Sequence, residues 1–144
     1  MDYVIRRWEE VEGYGGFVEI GPGRWSQHYG GDGYAIFVDH EAFWSMAEGI
    51  IWKHSPPDFF YGANHISKEA GHKIIKDWRL AAEQFSSMTL QEVKEQLYVP
   101  SGYYPILESE ILQHGPEISF MLKRLAIAVD KFYQMDEWIY IMGI

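Results

Sequence analysis

Apolar residues recur at three- and four-residue steps through the last quarter of the chain. Ile118, Met121, Leu122, Leu125, Val129, Phe132 and Tyr133 share one face of a helix by that period. Pro116 suits a first turn, where its missing N–H has no intrahelical partner. The run Trp138-Ile-Tyr-Ile-Met142 then has no strongly polar break, and a strand apolar on both faces belongs inside a sheet. The pattern predicts a long helix followed by a C-terminal strand that completes the core.

Earlier in the chain, residues 2–11 alternate weakly and predict a first strand. Eight of the fourteen glycines fall between Gly13 and Gly33, with strand-like pieces at Phe17–Ile20 and Arg24–Tyr29 between them. Glycine turns joining hairpins are the simplest account. Tyr34–Val38 is a short apolar strand, expected to pair beside the C-terminal one. Asp39 caps a helix with Phe43, Met46, Ala47, Ile50 and Ile51 inward, which ends at Ser55-Pro56-Pro57. A loop runs to Asn64 and His65. Ser67 caps a helix with Ile74, Ile75, Trp78, Ala81, Ala82 and Phe85 inward. Thr89-Leu-Gln-Glu92 has capping-box spacing and opens a short helix ending before Pro100. Ile106–Gln113 reads as one or two helical turns, and Gly115-Pro116 as a break before the final helix. Strands early, helices in the middle and one closing strand predict an α+β fold: an antiparallel sheet with helices on one side.

Length fits one globular domain over residues 1–144, able to bury about 70% of its unfolded surface. Aromatic content of 17% is high. The net charge of −9 repels nucleic acid and anionic membranes and attracts basic partners. Trp8–Asp58 carries nine acids against Arg24 and Lys53, and Glu92–Glu117 five acids against Lys94, whereas Ser67–Leu80 has a net +2. With no cysteine there is no disulfide or thiolate chemistry. Arg6, Arg7 and four Glu in the first twenty residues do not fit a secretory signal, and no apolar run is long enough to span a bilayer. A cytoplasmic protein is expected.

Local motifs for chemistry are weak. The glycine clusters precede strands rather than helices, unlike a phosphate cradle, and Gly31-Asp-Gly33 lacks the spaced oxygens of a calcium loop. Asp39-His40-Glu41 is a dense titratable cluster, but position 44 is Trp where a zincin needs His, so a helix cap is preferred. Lys68, His72, Lys76 and Arg79 form a basic helical stripe, read as a solvated face. No catalytic residue, metal site or cofactor is expected. What stands out is acid interleaved with loop aromatics: Glu12 with Tyr14, Trp25, Tyr29, Asp32, Asp58, Tyr61, Tyr103, Tyr104, Glu108 and Glu110. Carboxylates around aromatic anchors suit a surface that captures a basic protein.

In whole-chain character, with Glu9-Glu10-Val-Glu12 and these aromatic loops, the sequence resembles the immunity proteins that bacteria make against their own polymorphic or contact-dependent toxins. That resemblance implies a basic toxin domain as partner, such as a nuclease, and no enzymatic activity. Two other readings stand beside it. One is a small-molecule or glycan binder stacking its ligand on Trp25, Tyr29 and Tyr61. The other is an enzyme with a dispersed site near Asp39, His40 and Glu41. Exposed aromatics also leave a homodimer open.

Overall fold

The computed structural model describes residues 1–25, 33–56, 62–85, 89, 91–92, 95 and 104–143, and only the backbone of residues 104–107. In chain order the elements are α1 (Trp8–Val11), β1 (Phe17–Pro22), β2 (Ile36–Asp39), α2 (His40–Met46), α3 (Glu48–His54), β3 (Ala63–Ser67), α4 (Lys68–Gln84), α5 (Tyr104–Met135) and β4 (Trp138–Gly143). The fold is α+β. Its four strands form an antiparallel sheet in the order β2-β1-β4-β3, so the C-terminal strand lies inside it.

One face of the sheet carries Val18, Ile20, Ile36, Val38, Ile66, Ile139 and Ile141, and α2 to α5 bury it with Phe43, Met46, Trp78, Leu122, Leu125 and Val129. The apolar periods of α4 and α5 end up inward as the sequence predicts. The two helices run antiparallel: Gly71 meets Tyr133 near one end, and Ser119 Oγ donates to the Ala82 carbonyl (2.5 Å) near the other. Asp39 Oδ1 accepts from Ala42 N–H (2.9 Å) and Ser67 Oγ from Ala70 N–H (3.4 Å), which fixes where α2 and α4 start.

Some expectations change. Residues 2–11 do not form a strand: Arg6 makes a single bridge to Phe37, and α1 follows because Trp8 and Val11 lie three apart on one helical side. β2 pairs with β1 rather than with the C-terminal strand; β1 lies between them. The helix after Asp39 is two helices, parted at Ala47 (φ −121°), whose carbonyl accepts from Trp78 Nε1 (3.1 Å). Asn64 and His65, expected at the end of a loop, belong to the edge strand β3, which ends at the cap residue Ser67. The break expected at Gly115-Pro116 falls at the adjacent residue His114 (φ −127°, ψ 17°), where α5 kinks between two helical stretches and Pro116 sits in the first turn of the second. Of the predicted strand Arg24–Tyr29, residues 24 and 25 are not in a strand and the remainder lies outside the described residues. No described helix is long and apolar enough to cross a membrane.

Candidate functional site

The sheet's second face is covered differently. Phe37, Ala35 and Val11 form a small cluster of their own, with Trp8 and Phe17 packed against it. Trp8 lies over Phe37 with ring centroids 5.7 Å apart. Beside it, Arg6 and Phe37 exchange two backbone hydrogen bonds of 2.9 Å, so the N-terminal segment borders the outer edge of β2. Glu10 accepts from Arg7 N–H (2.7 Å), satisfying a donor that the helix start leaves open. These contacts pin one helical turn that would not form alone.

Pinned this way, α1 turns Glu9 and Glu10 outward, with Glu12 following. Gly13 (φ +84°) reverses the chain, and Tyr14 stands 76% exposed on the turn. Tyr34 joins from the turn before β2, 51% exposed, its carbonyl accepting from Arg7 Nη1 (2.9 Å). Sequence reasoning placed Tyr34 in an apolar strand. The strand begins two residues later, and the glycines before Tyr34 are the signal that it sits on a turn.

A second acidic group lies at the start of the N-terminal segment. Tyr3 is buried, donates its hydroxyl to Glu110 and stacks 5.9 Å from His114 at the kink of α5. Burial, then the Glu110 bond and the fields of Glu110, Glu117 and Asp39, hold its phenol far above the ordinary tyrosine range. Tyr3 and Glu9 are six residues apart, so at most about 20 Å separates their Cα atoms. The N-terminal segment therefore connects the carboxylates of α1 with those near the α5 kink.

The predicted partner-binding residues thus divide. Glu12 and Tyr14 share the α1 surface, and Glu108 is exposed on α5. Glu110 is half-buried and turned to Tyr3. Trp25 is half-buried at the far edge: its backbone N–H donates to Nε2 of His65 on β3 (3.2 Å). Three strand spacings, about 14 Å, lie between β3 and β2, so Trp25 does not belong with Tyr14. Tyr29, Asp32, Asp58, Tyr61 and Tyr103 lie outside the described residues, as does the side chain of Tyr104, whose backbone opens α5.

Between those edges lies a buried polar contact that the sequence did not signal. Glu19, with no exposed surface, accepts from the Tyr140 hydroxyl (2.7 Å). Gly21 makes room for it, since a Cβ there would overlap the Tyr140 ring. His65 stands opposite Tyr140 in the β3–β4 register. Asp39, His40 and Glu41 do not converge: Asp39 caps α2, and His40 is exposed beside Trp44 (6.1 Å). Among the described residues no group of three or more His, Asp or Glu is placed to hold a metal ion.

No protein-family model, curated protein or solved structure matches this chain.

Proposed function

We propose that this protein captures a basic protein partner, in the manner of bacterial toxin-immunity proteins, through the acidic and aromatic surface built on α1. The observation that carries the reading is the pinned turn: Trp8 and Val11 anchor α1 to Phe37 while Glu9, Glu10 and Glu12 stand exposed in the five residues before a tyrosine that is itself 76% exposed. A tyrosine brings large contact area with few rotors to immobilise, and such side chains dominate interface energetics. Carboxylates around it speed encounter with a cationic surface and disfavour acidic competitors. The reading places the protein in the cytoplasm and calls for no cofactor.

The test begins with capture of binding proteins from cells that encode the chain, followed by association kinetics with the purified partner. The expected partner is basic, and its association rate falls about tenfold or more as salt rises. Glu9→Lys with Glu12→Lys slows association, and Tyr14→Ala speeds dissociation about tenfold. An acidic partner, or an association rate indifferent to salt, overturns the reading.

A further inference from the structure

The outer face of the helical layer has the opposite character. Residues 68–84 and 116–135 together hold seven of the chain's twelve Lys and Arg against five Asp and Glu, a net of +2, which leaves −11 for the remainder. On α5, Phe120 (60% exposed) and Ile127 (51%) lie seven residues apart, two turns along one side. That side points directly away from the buried set Ile118, Met121, Leu122, Leu125, Val129 and Phe132. Lys123, Arg124 and Lys131 flank the pair, all exposed, with Arg124 5.7 Å over the Phe120 ring. Across from them a groove of about 300 Å³ runs between α4 and α5, lined by His72, Ile75, Lys76, Arg79, Leu80 and Glu83 with Asp130 from α5. Leu80 is itself 45% exposed.

We infer that this face is a second docking surface, and that it takes an acidic amphipathic helix of a partner protein. The inference is independent of the α1 reading, since the two surfaces share no residue. Charge complementarity selects the occupant. Lys123, Arg124 and Lys131 lie within about one turn of Phe120 or Ile127 on α5. Lys76 and Arg79 line the groove with Leu80, where Glu83 and Asp130 offset part of their charge. With the five cations in excess, a helix with one apolar stripe and flanking carboxylates meets a match for both parts. A second copy of this chain fits poorly: antiparallel pairing of two α5 helices that sets Phe120 on Ile127 of the other copy brings Lys123 of each against Arg124 of the other. Nucleic acid and anionic lipid are less favoured, because the −11 carried by the rest of the molecule repels an extended polyanion while a short helix engages only the basic face.

The probe is a labelled amphipathic helical peptide of about 18 residues, about 27 Å long, with leucines on one face and glutamates on the other, followed by fluorescence anisotropy with the full chain. A lysine-for-glutamate version, a DNA duplex and phosphatidylcholine vesicles doped with phosphatidylglycerol are run beside it. The expected result is that the acidic peptide binds better than the duplex or the vesicles. Its affinity falls about tenfold in Phe120→Ser with Ile127→Ser and in Lys76→Glu with Arg79→Glu. All of these side chains are exposed or lie at a groove rim, and a circular dichroism melt confirms that each variant folds. Stronger binding of the duplex or the vesicles, or lysine-peptide binding that the α4 and α5 substitutions weaken, overturns the inference. So does acidic-peptide binding that is undetectable or insensitive to the α4 and α5 substitutions.

Discussion

Gly71 lies within α4, where replacing glycine by alanine ordinarily stabilises a helix by about 1 kcal/mol. Here the sign reverses. A Cβ at position 71 overlaps the Tyr133 ring and hydroxyl, and Tyr133 is only 1% exposed. The ring has little freedom to yield, because its hydroxyl sits 3.0 Å from the Ile66 carbonyl and 3.1 Å from that of Ser67. Displacing it forfeits about 1 kcal/mol of hydrogen bonding and adds about 1–3 kcal/mol of overpacking. Set against the helix-propensity gain of about 1 kcal/mol, Gly71→Ala is expected to destabilise the fold by about 1–3 kcal/mol, which lowers the melting temperature by about 3–10 °C at this chain length.

Urea and thermal unfolding followed by circular dichroism measure the effect, and a second background makes it diagnostic. With Tyr133→Leu the obstructing ring is gone, so adding Gly71→Ala recovers the ordinary gain of about 1 kcal/mol. A sign change between backgrounds supports the close approach of α4 and α5. Should Gly71→Ala raise the stability of the otherwise unaltered chain, the contact that aligns these helices is refuted, and with it the register of the groove between them.

Two further outcomes follow from buried titratable groups. Burial pushes the Glu48 carboxyl up to about 7, opposed by a hydrogen bond from Trp52. The folded state therefore holds a proton that the unfolded state releases near pH 4.5, so stability falls as pH rises from about 4.5 to 7. Glu48 keeps part of its surface in water, and with screening the change is about 1–2 kcal/mol; Glu48→Gln is expected to remove it, and an unaltered pH profile of urea midpoints refutes the assignment. Tyr140→Phe removes a hydrogen bond to the fully buried Glu19 and is expected to cost about 1–3 kcal/mol; a loss under about 0.5 kcal/mol by the same measurement shows that the contact contributes little.

The long helices were legible because each carries a full apolar stripe, Ile74 to Ala82 in α4 and Ile118 to Tyr133 in α5, and period alone identifies such elements. β4 was legible for a similar reason: Ile139, Tyr140 and Ile141 are buried on both faces. β3 was missed because Asn64 and His65 interrupt its apolar pattern, although Asn64 is 8% exposed. The order of strands was misjudged because Glu19 makes β1 read as half-exposed, when Tyr140 receives that carboxylate within the sheet's second face. At the candidate site, Gly13-Tyr-Gly-Gly16 marked Tyr14 as a turn residue with nothing local to bury it. The separation of Trp25 from Tyr14 depends on which strands lie between them, and only long-range pairing sets that.

That pairing also decides how recognition relates to stability. The residues that pin α1 belong to the small cluster on Phe37, separate from the core under α2 to α5. A single turn held by Trp8, Val11 and the Arg6 bridge opens by itself when its anchor is cut, and the loss is capped at the free energy of docking that turn. Truncating a fully buried aromatic costs about 3–5 kcal/mol; Trp8 is half-buried, so Trp8→Ala is expected to weaken docking of α1 by about 1–2 kcal/mol and to leave global unfolding nearly unchanged. Hydrogen exchange reads this directly. The amides of Glu12 and Tyr14, bonded to the carbonyls of Trp8 and Val11 at 2.9 Å, lose protection, while those of β1 and β4 keep theirs. Partner binding then weakens in step with the loss of protection, since Glu9, Glu12 and Tyr14 are held in place only while the turn is docked. If Trp8→Ala instead lowers the global melt as a core truncation does, α1 is part of the folding unit, and the recognition surface cannot be tuned apart from the fold.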